Sequence, residues 1–436
     1  MKEKVLCNFD LIGGRLVDPY SGIDRIKDLF VRDGIIYLSL PEGKPAEQAF
    51  IIKEHIILPG LLDLRVHNRI PGDTQSETVE SLTKGAAKGG FSSILAMPNT
   101  TPYSDNPGTI RYIQDRIKQV SKIKVHLTGC LTIGSNGKAL APLGSLKEAG
   151  VVAVTDCPHS VGDNQIFTNA LKYAKMFGLK IIEYPQDSSL SKDGQAHESS
   201  LSLKMGLTGN PRMAEELAVQ RAITLSRHLK VPIHISSISS LGSVNLVKEA
   251  KRLGAKISTD VSAHHLLLTE EAISEYKTQA KTTPPLREEI DRLALIEGLN
   301  DGTIDSCNSS HEPFAEHLKQ VEFDLAPGGV IGLETALVAV IEALGENDPF
   351  PKIAEKMSTN PHQIMGLSPP SFKEGNIADF VVINPAKKWT FKTDSGMSLS
   401  GNSPLDGHKF IGKAILTVSG GKIAWCEDSS LIDCLH

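Results

Sequence analysis

The side chains with the greatest chemical capacity stand together in one short segment. Asp63, Arg65, His67 and Arg69 are set among Leu58, Leu61, Leu62, Leu64 and Val66 and are followed by Pro71-Gly72. An apolar strand that ends in polar groups and a sharp Pro-Gly turn is how a buried barrel strand delivers functional side chains to one rim. A neutral imidazole has a lone pair for a metal or a proton, whereas a guanidinium has only donors and a fixed positive charge. Asp156-Cys157-Pro158-His159 also carries ligand-type groups and, with His67 and His311, would form a rewired single-metal site. His264-His265 looks like a ligand pair, but its plainer reading is a stabilised strand end. His234 sits in an apolar strand and reads as a core histidine, while His126, His197, His317 and His408 carry no motif.

The elements that must position these groups follow from the rhythm of the chain. Residues 1–57 hold short β-type runs (Asp10–Ile12, Arg15–Val17, Asp28–Val31, Gly34–Tyr37) whose close spacing predicts a small antiparallel sheet. From Leu58 apolar runs end successively near His67, Asn99, Thr132, Asp156, Tyr184, Ser237, His264 and Ser310. Helical patterns lie between them, at Glu77–Lys88, Gly108–Gln119, Asn169–Phe177, Met213–His228 and Ser243–Leu253, with Ser76 the expected cap of the first. Eight alternating units of this size predict an α/β fold, a (β/α)8 TIM-type barrel over 58–365; a doubly wound open sheet is the rival. Strands return at Ala378–Ile383, Lys413–Val418 and Lys422–Trp425 without helices between them. They are expected to join the N-terminal strands in a composite β-sandwich module of residues 1–57 and 366–436.

Composition narrows the function class. Of 436 residues 40% are hydrophobic and 22% charged, ordinary for a globular protein, and the net charge of −5 comes without a basic block, so no nucleic-acid or anionic-membrane partner is expected. Met1-Lys2-Glu3-Lys4 leads into only a short apolar run, which does not suggest a signal peptide, and no apolar run is long enough to span a membrane. Six cysteines (Cys7, Cys130, Cys157, Cys307, Cys426, Cys434) without a C-x-x-C pair read as reduced thiols in a cytoplasmic protein.

Several stretches, in order and at matching spacings, resemble the dihydroorotase family of cyclic amidohydrolases: Gly89-Gly90-Phe91 leading to Met97-Pro98-Asn99-Thr100-Thr101-Pro102, Leu146-Lys147-Glu148-Ala149-Gly150, Ala263-His264-His265, Pro284-Pro285-Leu286-Arg287, Gly302-Thr303-Ile304-Asp305, Gly332-Leu333-Glu334-Thr335-Ala336 and Asn402-Ser403-Pro404. The resemblance implies interconversion of carbamoyl aspartate and dihydroorotate, with one or two Zn²⁺ ions and an Asp that shuttles the proton. Carried over position by position, it implies mostly loss. The family's first strand ends in Asp-x-His-x-His; here the first His is Arg65 and the second remains His67. Asp156 matches the ligand of one subgroup, Tyr184 and Ser237 replace metal histidines, and Ser310 replaces the catalytic Asp in Ser309-Ser310-His311-Glu312-Pro313.

A guanidinium cannot ligate Zn²⁺ and would repel it. The expectation is therefore an Arg65–Asp156 ion pair where metal would be, with no cofactor. Arg69, Asn99 and His311 match substrate-contact positions and imply a vestigial pocket for dihydroorotate or carbamoyl aspartate, while the family's Asn before Pro-Pro-Leu-Arg is Thr283. The chain thus resembles the non-catalytic dihydroorotase-like chains that assemble with aspartate carbamoyltransferase, which implies an oligomeric structural subunit in pyrimidine biosynthesis. The alternative is an active cyclic-amide hydrolase with a rearranged zinc site.

Overall fold

A computed structural model describes residues 7–345 and 347–427; Met1 to Lys4 and Cys434 fall outside these. Eight parallel strands form the central sheet: β1 (Leu61–Val66), β2 (Phe91–Ala96), β3 (Lys124–Gly129), β4 (Ala153–Val154), β5 (Lys180–Glu183), β6 (Ile233–Ile235), β7 (Ile257–Ser262) and β8 (Ser306–Asn308), each beside the next. The ends meet where Val66 bridges His311 in parallel and the His67 N–H donates to His311 O at 2.9 Å. The sheet is a barrel, and each strand stops shortly before the polar residue at which the sequence places its end.

Helices alternate with the strands: α1 (Val79–Lys88), α2 (Pro107–Val120), α3 (Leu143–Glu148), α4 (Asn164–Met176), α5 (Arg212–Leu229), α6 (Leu241–Arg252), α7 (Glu289–Asp301) and α8 (Ala336–Leu344). Their buried faces, for example Leu82 and Ala86 of α1 and Phe167, Ala170 and Leu171 of α4, pack on Ile94, Val154, Ile181 and Ile235 of the strands in one core. The cap of α1 is Thr78, two residues past the expected Ser76: Thr78 Oγ1 accepts from Ser81 N (3.1 Å) and Ser81 Oγ from Thr78 N (3.0 Å). Ser76 instead accepts from Ala315 N at 2.8 Å and so ties the turn after β1 to the segment after β8.

The chain ends build two further sheets. One contains Ile35–Tyr37, Leu29–Arg32, Phe9–Ile12 and Gln48–Ile51; the other contains Lys422–Cys426, Lys409–Ser419, Phe380–Thr390, Ile56–Pro59, Arg15–Asp18 and Ile23–Ile26. Phe9, Leu11, Val31 and Phe50 of the first pack on Leu16, Ile57, Phe380 and Val418 of the second, a β-sandwich core. The N-terminal strands are not one antiparallel sheet as expected. They divide between the two layers, and Phe9–Ile12 runs parallel to Gln48–Ile51, as Arg15–Asp18 does to Ile56–Pro59. Crossover pairing of this kind leaves no mark in local alternation. Cys130, Cys157 and Cys307 are buried free thiols. No helix among the described residues is long and apolar enough to cross a membrane.

Candidate functional site at the barrel mouth

The pairing of β1 with β2 shifts register between Asp63 and Val66, so strict in–out alternation fails at Arg65. Asp63 fixes this irregular turn of backbone: its carboxylate accepts from Arg65 N at 2.9 Å and from Ser309 N at 3.0 Å. Arg65 is fully buried. Its Nη2 donates to Thr283 O (3.0 Å), its guanidinium carbon lies 4.9 Å from the centre of the Tyr184 ring, and Nε and Nη1 have no partner. Burial opposes the charge, and Cys157, Tyr184, Glu312 and Asp260 support it.

The expected Arg65–Asp156 ion pair is absent. Asp156 is held by Thr132, whose N–H donates to Oδ1 at 2.9 Å and whose hydroxyl donates to Oδ2, so hydrogen bonds from the end of β3 satisfy the carboxylate that was to answer Arg65. Burial raises its pKa. Tyr184 is buried beneath Arg65, and its phenol is driven above its ordinary value by burial. Ser237, in a left-handed conformation (φ 57°), gives its N–H to Asp260 and accepts from Asn308 Nδ2 (3.2 Å) and Ser262 Oγ (3.3 Å). Ser310 is buried just past β8 with φ 48°. Hydroxyl and amide hydrogen bonds thus link the mouth ends of β6, β7 and β8.

His67 is buried, its Nδ1–H donates to Asn99 Oδ1 at 2.9 Å, and burial lowers its pKa to about 4, so the ring is neutral at pH 7. Its free Nε2 is 3.8 Å from Glu312 Oε2. Arg69 stacks 4.4 Å from the centre of the Phe314 ring, donates from Nε to Pro313 O (3.0 Å), and brings Nη2 to 3.6 Å from Glu312 Oε1. Arg69 and Asn99 therefore meet around His67 and Glu312. His311 turns elsewhere: its Nε2 faces Glu77 Oε2 at 3.3 Å and its Nδ1 accepts from Gly332 N at 3.3 Å.

The remaining histidines divide clearly. His234 bonds Asp260 Oδ2 and Ser258 Oγ, both at 3.0 Å, the satisfied core arrangement expected of it. His264 and His265 stack at 4.7 Å and are kept neutral by burial, which takes His265 to about 4. Among the described residues the one group of three or more metal-type ligands within reach of each other is His197, Glu288 and Asp291, and Arg212 already bridges its two carboxylates at 2.6 and 2.5 Å. Neither His67 with Asp156 and His311 nor Asp156 with His159 gathers in this way. The barrel mouth does not fit a zinc centre: it has a buried cation, a phenol and two hydroxyls where ligands are required, and its unengaged imidazole nitrogens, on His67 and on His264 and His265, are not gathered into a ligand group of three among the described residues.

Glu312 is the site residue that sequence reasoning missed. The signal was available, since a carboxylate inside a buried motif next to Arg69 needs cationic company.

Comparison with known proteins bears on this architecture directly. A dihydroorotase from Geobacter sp. (strain M21) is 38% identical over 96% of this chain and 99% of its own length, and one from Endomicrobium trichonymphae is 37% identical over 94% and 98%. The chain belongs to the dihydroorotase family. The family profile described as Dihydro-orotase-like matches residues 54–243, which span the end of the sandwich sheet through the start of α6. Among solved structures the L-hydantoinase of Arthrobacter aurescens (TM-score 0.83, 20% identity, 96% of both chains) and a D-hydantoinase (TM-score 0.84, 20% identity, 96% and 95%) share the fold.

Proposed function

We propose that this dihydroorotase-family chain has no hydrolytic turnover and serves as a structural subunit, with the catalytic chain of aspartate carbamoyltransferase as its partner. The observation that carries the first half is the buried Arg65 guanidinium at the end of β1, with Tyr184, Ser237 and Ser310 completing the replaced set. Opening a cyclic amide needs an activated water and a group that takes and returns a proton. A serine hydroxyl without an activating base does not supply the second, and the free nitrogen of His67 faces Glu312 in a pocket dominated by guanidinium charge. The partner and the oligomeric state rest on the resemblance alone.

A second reading, an active cyclic-amide hydrolase with a rearranged metal site, has one specific support. The relatives matched over nearly their full length carry the name dihydroorotase, and that name speaks for turnover more directly than any observation speaks for the assembly role. Elemental analysis after incubation with excess Zn²⁺ and removal of free ion separates the two. Less than about a tenth of an equivalent, with no consumption of dihydroorotate, supports the non-catalytic reading, because a competent site binds metal through several ligands acting together. One equivalent that is lost in His67→Ala, with turnover, establishes the hydrolase. Co-purification of the carbamoyltransferase from the native source tests the partner.

A further inference from the structure

Glu312 is buried at the barrel mouth amid an excess of cations. Its oxygens lie 3.6 Å from Arg69 Nη2 and 3.8 Å from His67 Nε2, beyond hydrogen-bond length. Glu312 Oε2, His67 Nε2 and Arg69 Nη2 all lack a partner, as do Nε and Nη1 of Arg65. Burial opposes the Glu312 charge, and the cationic groups of Arg69, Arg65 and Lys319 favour it, so its pKa is lowered. A buried guanidinium nitrogen without a partner, facing a single, loosely held carboxylate, marks an anion site rather than a close-fitted ion pair.

The backbone is shaped to keep that carboxylate in place. Glu312 N–H donates to Val330 O at 2.7 Å, and Glu312 O accepts from Asn402 Nδ2 at 2.9 Å. Opposite its side chain stands Gly329 at φ +150°, where an added Cβ would lie 2.7 Å from Glu312 Cγ. The glycine provides the space that the Glu312 stem fills.

We propose that the Glu312 side chain is an internal ligand: it occupies the anion position of a small-carboxylate site formed by Arg69 beside the neutral His67 ring, in the field of the Arg65 guanidinium, and closes that site to carboxylates from solution. The proposal deepens the reading of this centre as cationic and metal-free, and rests on it. The ligand class follows from the donor, because a planar guanidinium in a buried pocket selects a planar carboxylate, and the CH2–COO− group lost in going from Glu312 to Ala has the size of acetate, with propionate one methylene larger.

The test is Glu312→Ala in the full chain, followed by thermal unfolding. The variant should melt several degrees below the wild type. Millimolar propionate or acetate should restore much of the loss saturably, as expected for a ligand that binds only the folded state, while sodium chloride at equal ionic strength should not. The wild type should not respond, and adding Arg69→Met to the variant should remove the rescue. If Glu312→Ala does not fold alone, its refolding yield from urea with and without propionate reads the same question. A variant indifferent to carboxylates in both assays, or a wild type that responds equally, overturns the proposal. Stoichiometric zinc in the same preparations would instead overturn the metal-free reading, whatever propionate does.

Discussion

Asp63 joins the first and last strands of the barrel through one carboxylate, accepting the N–H of Arg65 at 2.9 Å with one oxygen and that of Ser309 at 3.0 Å with the other. The seam between β1 and β8 has few ladder bonds of its own, so this side chain closes it. Asp63→Asn puts an amide donor against one of the two N–H groups and should cost about 1–3 kcal/mol, the usual penalty for a buried unsatisfied donor. Urea unfolding checks it: the midpoint should fall with an unchanged slope.

The acid response of stability follows from the buried imidazoles. His67, His126, His197, His265 and His362 are lowered to about 4, and His264 well below its ordinary value, all chiefly by burial. Between pH 6.5 and pH 4 the unfolded chain takes up these protons and the folded chain does not, so stability is lost as pH falls through that window. Asp63 and Glu183, raised to about 7 by burial, and Asp156 and Glu270, also raised by burial, act in the opposite sense, since their folded forms keep protons that the unfolded chain has released. The histidines outnumber them. Urea midpoints at pH 7.5, 6.5 and 5.5 should therefore fall toward acid, each uncompensated proton contributing about 1.4 kcal/mol per pH unit. A flat profile would show that the rings are not held neutral.

Returning one ligand should not rebuild a metal centre. Arg65→His gives two imidazoles on one strand, but Asp156 remains held by Thr132, and Tyr184 and Ser237 are unchanged. Zinc content should stay far below one equivalent. The combination Arg65→His, Tyr184→His, Ser237→His and Ser310→Asp should raise it toward stoichiometry, as measured by elemental analysis after removal of free ion.

His234 is predicted to matter for stability alone. It caps the buried Asp260 carboxylate at 3.0 Å, and Asp260 in turn receives the Ser237 N–H. His234→Ala leaves that buried acid short of a hydrogen-bond donor and should cost about 1–3 kcal/mol, the usual penalty for a buried polar group left unsatisfied. Metal content should not change.

The barrel was legible because eight apolar runs each end in polar residues, and a parallel strand buried on both faces writes itself as a continuous apolar run. The replacements at Arg65, Tyr184, Ser237 and Ser310 were legible as identities. Their partners were not: Asp156 answers to Thr132 rather than to Arg65, and His311 faces Glu77 just ahead of α1, because side-chain direction at a strand end depends on neighbours far away in sequence. Glu312 was visible as a letter in its motif, yet its role needed the fold, which brings Arg69 and His67 to within 4 Å of its oxygens. The cap of α1 was displaced for a local reason, since Ser76 was already taken by the backbone of Ala315.

The strand Ile56–Pro59 lies between Arg15–Asp18 and Phe380–Thr390 and runs through Gly60 into β1; a Cβ on Gly60 would sit 2.1 Å from Ser92 Oγ. During synthesis on the ribosome this strand emerges early, but one of its two neighbours is made about three hundred residues later. For most of translation an apolar strand edge next to the barrel's first strand has nothing to pair with. The nascent chain should carry its greatest exposure to aggregation, and its strongest call on a holding chaperone, at Ile56–Pro59, until the last strands of the protein leave the exit tunnel.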